Sequence, residues 1–403
     1  RFRIASDKPW AELREAQALG IEAKPVLVGP ATFVALGKPK EEGLDRWGAL
    51  LDAVADAYAE VVTRLAEAGA RWIQLDEPAL VCDRTPDERR AVTRAYDRIA
   101  RARRGDAKLL VQTYFGPVGE SYETLARLPV DGIGLDFVRG PENLDLLERH
   151  GLPAGRVLVA GVVDGRNVWV TDLDARLALL ERLADRVGPD ALWVAPSCSL
   201  LHVPLDVRRE THLDPELRSW LAFAVQKCDE VATLARGLNE GRAAIADALE
   251  RNRAALAARA TSPRTRNPEV RARLEAVLRE AGGFRRGPYA RRRALQRPRL
   301  GLPEYLPTTT IGSYPQTPEI RRARREYREG RMSREAYERF LEGEIDRVLR
   351  LQEEIGLDVL VHGEFERNDM VEYFGEQMEG FAFTRHGWVQ SYGSRYVKPP
   401  LLY

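Results

Sequence analysis

The 403 residues carry 44% apolar and 31% charged side chains at a formal net charge of +1, which excludes a disordered chain and supplies material for at least one large core, with two domains expected. A balance this close to neutral gives no global field for nucleic acid or an anionic membrane, so small-molecule chemistry is the expectation. Cys82, Cys198 and Cys228 show no Cys-x-x-Cys spacing, which speaks against a disulfide framework or a cysteine-rich zinc site and for a reducing, cytoplasmic home.

No apolar run approaches the roughly 20 residues that cross a bilayer. The opening Arg1-Phe2-Arg3-Ile4-Ala5-Ser6 is no signal peptide, and the absence of an initiating Met is expected of a chain that begins mid-protein. Short apolar runs then recur at 25–28, 72–75, 109–113, 133–138, 157–163 and 192–195, each ending in Gly, Pro, Asp or Glu. Helix-like segments separate them. In the clearest, Leu50, Leu51, Val54, Ala57, Tyr58, Val61, Val62 and Leu65 fall on one stripe. Such alternation predicts a parallel sheet with right-handed crossovers. Six units fall two short of an eight-stranded barrel, so the α/β pattern reads as a (β/α)8 barrel of the TIM type with its first two strands upstream of Arg1.

The strand ends gather polar residues at one rim: Gly29-Pro30, Asp76-Glu77-Pro78, Gln112-Thr113-Tyr114-Phe115, Asp164-Gly165-Arg166-Asn167 and Pro196-Ser197-Cys198 on to His202. Asp76 and Glu77 suit either a general acid/base pair or a structural ion pair with Arg166, and the latter is preferred because no nucleophile or metal cluster accompanies them. Cys198 and His202 are metal-ligand types, but Gln112 and Thr113 are poor partners for zinc, so Cys198 reads as a small buried hydrophobe. From 236 to 306 the composition turns to Ala, Glu and Arg with Pro interruptions. The run Arg285-Arg286-Gly287-Pro288-Tyr289-Ala290-Arg291-Arg292-Arg293 has a nucleic-acid look, yet in a neutral chain it reads as a solvated interdomain linker.

A second αβ pattern begins at Thr308-Thr309-Thr310-Ile311-Gly312-Ser313, a β-branched run whose Gly-Ser end suits a carboxylate or serves as an ordinary turn. Helices are expected at 318–327 and 334–355. Then Leu357, Val359, Leu360 and Val361 form an apolar run, expected as a strand buried on both faces, with His362, Glu364, Glu366, Arg367, Asn368 and Asp369 crowded after it. Those charges stand where α/β folds place ligand chemistry, or they simply solvate the loop.

The stretches at 24–30, 74–80, 308–316, 362–376 and 387–400, above all Glu364-x-Glu366-Arg367-Asn368-Asp369-Met370-Val371-Glu372-Tyr373 and Ser391-Tyr392-Gly393-Ser394-Arg395, resemble the cobalamin-independent methionine synthase family, the 5-methyltetrahydropteroyltriglutamate–homocysteine methyltransferases. The likeness runs through essentially the whole chain and is weakest in the Arg-rich segment. It implies two face-to-face (β/α)8 barrels, both incomplete in this chain: residues 1–235 as the last six strands of an N-terminal barrel, 236–306 as a helical linker, and 307–403 as the start of a catalytic barrel. The reaction it implies is methyl transfer from 5-methyltetrahydrofolate polyglutamate to the thiol of L-homocysteine, through a zinc-activated thiolate and without cobalamin, as the last step of methionine biosynthesis. A cytoplasmic monomer acting on small molecules, with no nucleic-acid or membrane partner, is implied as well.

Residue by residue, Ile311, Gly312 and Ser313 match the segment that holds the homocysteine carboxylate, and Glu364 matches the acceptor of its ammonium. Arg395 and Tyr396 match a folate-contacting pair. Tyr396 is a departure, since the family usually has Cys there. Asp76 and Glu77 match the degenerate first barrel, and Cys198 resembles a relic of a ligand position. The family's zinc ligands and proton-donating His belong to motifs not found before Tyr403, so the zinc ligands are expected beyond residue 403. No catalytic residue or metal ligand is therefore assigned, and these residues alone are expected to lack turnover. The alternative is a non-catalytic amino-acid-binding or scaffold protein derived from the enzyme.

Overall fold

The computed structural model describes residues 2–38, 40, 43–280, 287–391 and 393–403. Arg285, Arg286 and Tyr392, named above, lie outside them. The chain divides into two compact units, Arg1–Ala260 with Thr384–Lys398 and Thr261–Phe383 with Pro399–Tyr403.

In the first unit α1 (Lys8–Ala18) precedes β1 (Val26–Val28), α2 (Pro30–Leu36), α3 (Leu51–Glu67), β2 (Trp72–Asp76), α4 (Pro86–Ala102), β3 (Lys108–Gln112), α5 (Tyr122–Arg127), β4 (Gly132–Asp136), α6 (Asn143–His150), β5 (Val157–Val163), α7 (Leu173–Val187) and β6 (Leu192–Pro196). Three helices follow, α8 (Pro215–Ser219), α9 (Ala224–Glu240) and α10 (Ala246–Thr261). All six strands expected in this part of the chain are present, with ends displaced by no more than two residues. The strands pair in parallel in the order β1-β2-β3-β4-β5-β6. A sheet that never reverses its order is singly wound, as in a barrel, and not doubly wound about a switch point.

Curvature follows from side chains on distant strands. Four strand spacings separate β2 from β6, about 19 Å in a flat sheet. Yet the rings of Trp72 on β2 and Trp193 on β6 meet edge to face at 4.8 Å. Lys24, just before β1, lies 5.9 Å over the same Trp193 ring. Ile73 and Leu75 point the other way and are fully buried in the main core with Val54, Val62 and Leu65 of α3 and Val92, Tyr96 and Ile99 of α4. The unit is therefore an α/β fold of the TIM-barrel type, with six parallel strands curled under their helices.

The second unit contains α11 (Pro268–Glu280), α12 (Tyr289–Leu300), α13 (Pro318–Arg328), α14 (Arg334–Ile355) and α15 (Met370–Glu376). Neither α11 nor α12 buries a residue. Its small core consists of Ile320, Val348 and Phe365, with Tyr314, Phe340, Leu341 and Ile345 packed against them.

Residues 357–361 depart from expectation. They form no strand, and Val359 and Leu360 are exposed. A parallel strand is buried when neighbours flank both edges and helices cover both faces. Here the backbone is satisfied differently: Val359 N–H donates to Thr308 O at 3.0 Å, and the Gln352 side chain of α14 both receives from Val361 N–H (2.9 Å) and donates to Val361 O (2.7 Å).

Candidate functional site

The segments at 308–313 and 357–363 run side by side, joined by a parallel bridge between Ser313 and Gly363 and by the Tyr314 N–H to Gly363 O bond of 2.9 Å. Asp358 fixes the near end, accepting from both the amide and the hydroxyl of Thr308 at 2.8 Å. This register sets the Gly312-Ser313 turn against Glu364. At Gly312 φ is +135°, and a β-carbon there would lie 2.9 Å from Glu364 Oε1, so only glycine allows the carboxylate this close.

Glu364 itself has φ of +61°, a left-handed conformation that a non-glycine residue holds only under constraint. Its Oε1 receives Arg367 Nη2 at 2.6 Å. Arg367 Nη1 bonds Glu366, whose carboxylate also meets His362 Nε2 at 3.3 Å. Burial opposes ionisation of Glu366, but its own backbone amide and the charges of His362 and Arg367 hold its carboxyl below the usual range. Two carboxylates, the Arg367 guanidinium and the His362 ring thus meet beside a glycine turn and the exposed hydroxyl-bearing Ser313, acceptors for a cation next to donors for an anion. That is the complement of a small zwitterion.

Of the residues read from the sequence, Gly312, Ser313 and Glu364 share this corner, while the Ile311 side chain is fully exposed. Arg395 and Tyr396 are in the first unit, on a hairpin pairing Val389–Gln390 with Tyr396–Val397, where both are exposed. Ser391 N–H donates to Arg395 O at 2.8 Å across its turn.

The rim of the six-stranded sheet contradicts one expectation. Asp76 and Glu77 do not hold Arg166, whose guanidinium instead lies 4.8 Å over the Phe115 ring. Asp76 receives Gln74 Nε2 at 2.7 Å and the Tyr114 hydroxyl at 3.2 Å. Glu77, fully buried, accepts from the amides of Ala31 and Thr32, the Thr32 hydroxyl and the Tyr96 hydroxyl, capping the start of α2. Geometry explains the difference: successive strand residues point to opposite faces, so Asp76 looks into the curl and Glu77 toward the helices.

Cys198 is buried, and that burial pushes its thiol up to about 11 despite the Ser197 hydrogen bond. Among the described residues no three His, Cys, Asp or Glu side chains are grouped to hold a metal ion. A zinc ion of the kind the family resemblance implies does not fit these residues, because a four-coordinate site needs converging, deprotonated ligands. The sequence reading also missed Arg324, Gln316 and Gln352, which hold the Glu364 loop from behind. Arg324 left one signal, a charged residue on the same stripe of α13 as Ile320 and Ala323.

A curled, singly wound parallel sheet with polar side chains at its strand ends defines a chain of the TIM-barrel fold class. Two family models match it: cobalamin-independent synthase, N-terminal domain, over residues 1–188, and cobalamin-independent synthase, catalytic domain, over residues 306–403. The chain belongs to the cobalamin-independent synthase family. The 5-methyltetrahydropteroyltriglutamate–homocysteine methyltransferase of Caulobacter vibrioides is 53% identical over 405 residues, which cover 100% of this chain and 51% of that protein. The protein of the same name from Nitrobacter winogradskyi is 50% identical over 403 residues, 100% of this chain and 52% of its own. This chain thus spans about half the length of the curated relatives it matches. A B12-independent methionine synthase from Shewanella sp. W3-18-1 superposes on 60% of this chain and 69% of its own, with 18% identity and a TM-score of 0.43.

Proposed function

We propose that this chain serves methyl transfer from 5-methyltetrahydropteroyltriglutamate to the thiol of L-homocysteine, yielding L-methionine without cobalamin, and that its second unit grips the amino acid. The observation that carries this is the contact between Gly312 and the Glu364 carboxylate, 2.9 Å from the place of a β-carbon. Glu364 receives the α-ammonium, and the backbone of Ile311, Gly312 and Ser313 with the Ser313 hydroxyl receives the α-carboxylate. The names of the half-matched relatives agree with this substrate.

Arg395 and Tyr396 contact the folate on this reading, their exposure leaving both side chains available to it. The domain division at 235 and 306 goes with the same proposal. The assignment concerns binding and orientation of the amino acid. On the same reading the chain works in the cytoplasm as a monomer; its three cysteines are free.

Calorimetric titration of the reduced chain with L-homocysteine tests the grip. Glu364→Gln is expected to weaken binding by about tenfold to a hundredfold, the worth of one charge-assisted hydrogen bond of ~1.5–3 kcal/mol. An affinity unchanged by this substitution would remove Glu364 from the site.

A further inference from the structure

We propose that Arg324 is a positioning residue for Glu364, an inference that rests on the reading of Glu364 as ammonium acceptor. Arg324 sits on α13, 6% exposed, beside the Ile320, Val348 and Phe365 core. Its guanidinium spans the underside of the acidic loop. Nη2 donates to Phe365 O at 2.6 Å, to Gln316 Oε1 at 2.5 Å and to Arg367 O at 3.3 Å, while Nη1 donates to Asn368 Oδ1 at 3.1 Å. Gln316, oriented by that bond, donates its Nε2 to Glu364 O at 3.2 Å.

One side chain thereby fixes the carbonyls of residues 365 and 367 directly and that of Glu364 through Gln316. These carbonyls all lie on the C-terminal side of the left-handed residue, and freed of that hold the loop would relax toward an ordinary φ and carry the carboxylate away from Gly312. A planar fork with several donors in fixed directions can hold these acceptors at once. A lysine ammonium on a flexible stem cannot. Burying a guanidinium among neutral acceptors is costly, and its retention here is explained by what it holds. Arg324 also anchors the carbonyl of Arg367, the residue that pairs with both Glu364 and Glu366, so the ion pairs of the corner depend on the same clamp.

The test compares the chain with its Arg324→Lys, Glu364→Gln and doubly substituted forms, titrated with L-homocysteine and with 4-sulfanylbutanoate, which lacks the ammonium. Arg324→Lys is expected to lose at least tenfold in affinity for homocysteine and less than twofold for the desamino acid. The double variant should bind no worse than Glu364→Gln, because residues acting through one another are non-additive. Equal losses for both ligands, or losses that add to those of Glu364→Gln, would reduce Arg324 to a structural role and overturn the proposal. Hydrogen exchange of the peptide covering 363–368 supplies an arm free of ligand. It should quicken at least tenfold in Arg324→Lys while α14 stays protected, and unchanged exchange overturns the clamp. If the unsubstituted chain binds neither compound, the amino-acid reading fails while the exchange result still decides whether Arg324 sets the loop.

Discussion

Glu77 illustrates how one buried group is held. Desolvation pushes its carboxyl up, and against that act Thr32 through hydroxyl and amide, Ala31 through its amide and Tyr96 through its hydroxyl. Four donors converging on two oxygens fit a carboxylate that only accepts, so the ionised form is the one the site is built for. Glu77→Gln would turn an amide N–H₂ toward those donors, and about 3 kcal/mol of stability should be lost. Urea unfolding measures it. A loss below about 1 kcal/mol would show that Glu77 is already neutral in the native protein. The sequence announced a polar pair at this strand end but not its partners, because the two side chains leave on opposite faces and their contacts come from residues up to 46 positions away. Glu364 was more readable: its acid-rich neighbourhood was plain, whereas the left-handed backbone and the arginine that holds it were not, since nothing local encodes a clamp reaching over from α13.

At the level of elements, the six strands were legible because each is a short apolar run cut off by turn residues, and the helices between them show a clear stripe. The runs at 308–313 and 357–361 carry the same signal but form no strand, and the one bridge in this region joins Ser313 to Gly363 just past the second run, because pairing depends on neighbours that periodicity does not report. The hairpin carrying Arg395 and Tyr396 shows this dependence in another way. It is tied to its unit by Glu210, fully buried, which accepts the amides of Arg385 and His386 at 2.7 Å each. The link crosses 175 residues, beyond any pattern along the chain. Removing it with Glu210→Ala should expose the hairpin. Two bonds to a carboxylate, worth together about 2 kcal/mol or more, imply that amide exchange in 384–398 accelerates at least thirtyfold, whereas β2 to β5 stay within twofold. Mass spectrometry of exchanged peptides reads both, and uniform acceleration would mean that Glu210 supports the whole unit instead.

Across the molecule, the parallel order of the sheet and its barrel-type curl were both expected from the alternation of strand and helix, whereas the contact that shows the curl, Trp72 to Trp193, joins strands too far apart in the order for periodicity to report. The curl leaves β1 and β6 as the outer strands among the described residues. On β1, Val26 and Val28 expose 50% and 46% of their surface, and they align with Gln74 and Asp76, whose side chains share the inner face. The Tyr58 hydroxyl donates to Val28 O at 2.6 Å and occupies one edge carbonyl. A short, half-exposed, apolar outer strand is a template for pairing with another chain, and an inward charge is the usual protection. Val26→Lys should therefore lower self-association at high concentration without unsettling the fold, because the position is half in water already. The unfolding free energy is expected to stay within about 0.5 kcal/mol, while light scattering shows the onset of association moving to higher protein concentration. If the onset stays where it was, pairing at β1 is not how copies meet, and the exposed valines carry no cost for the isolated chain.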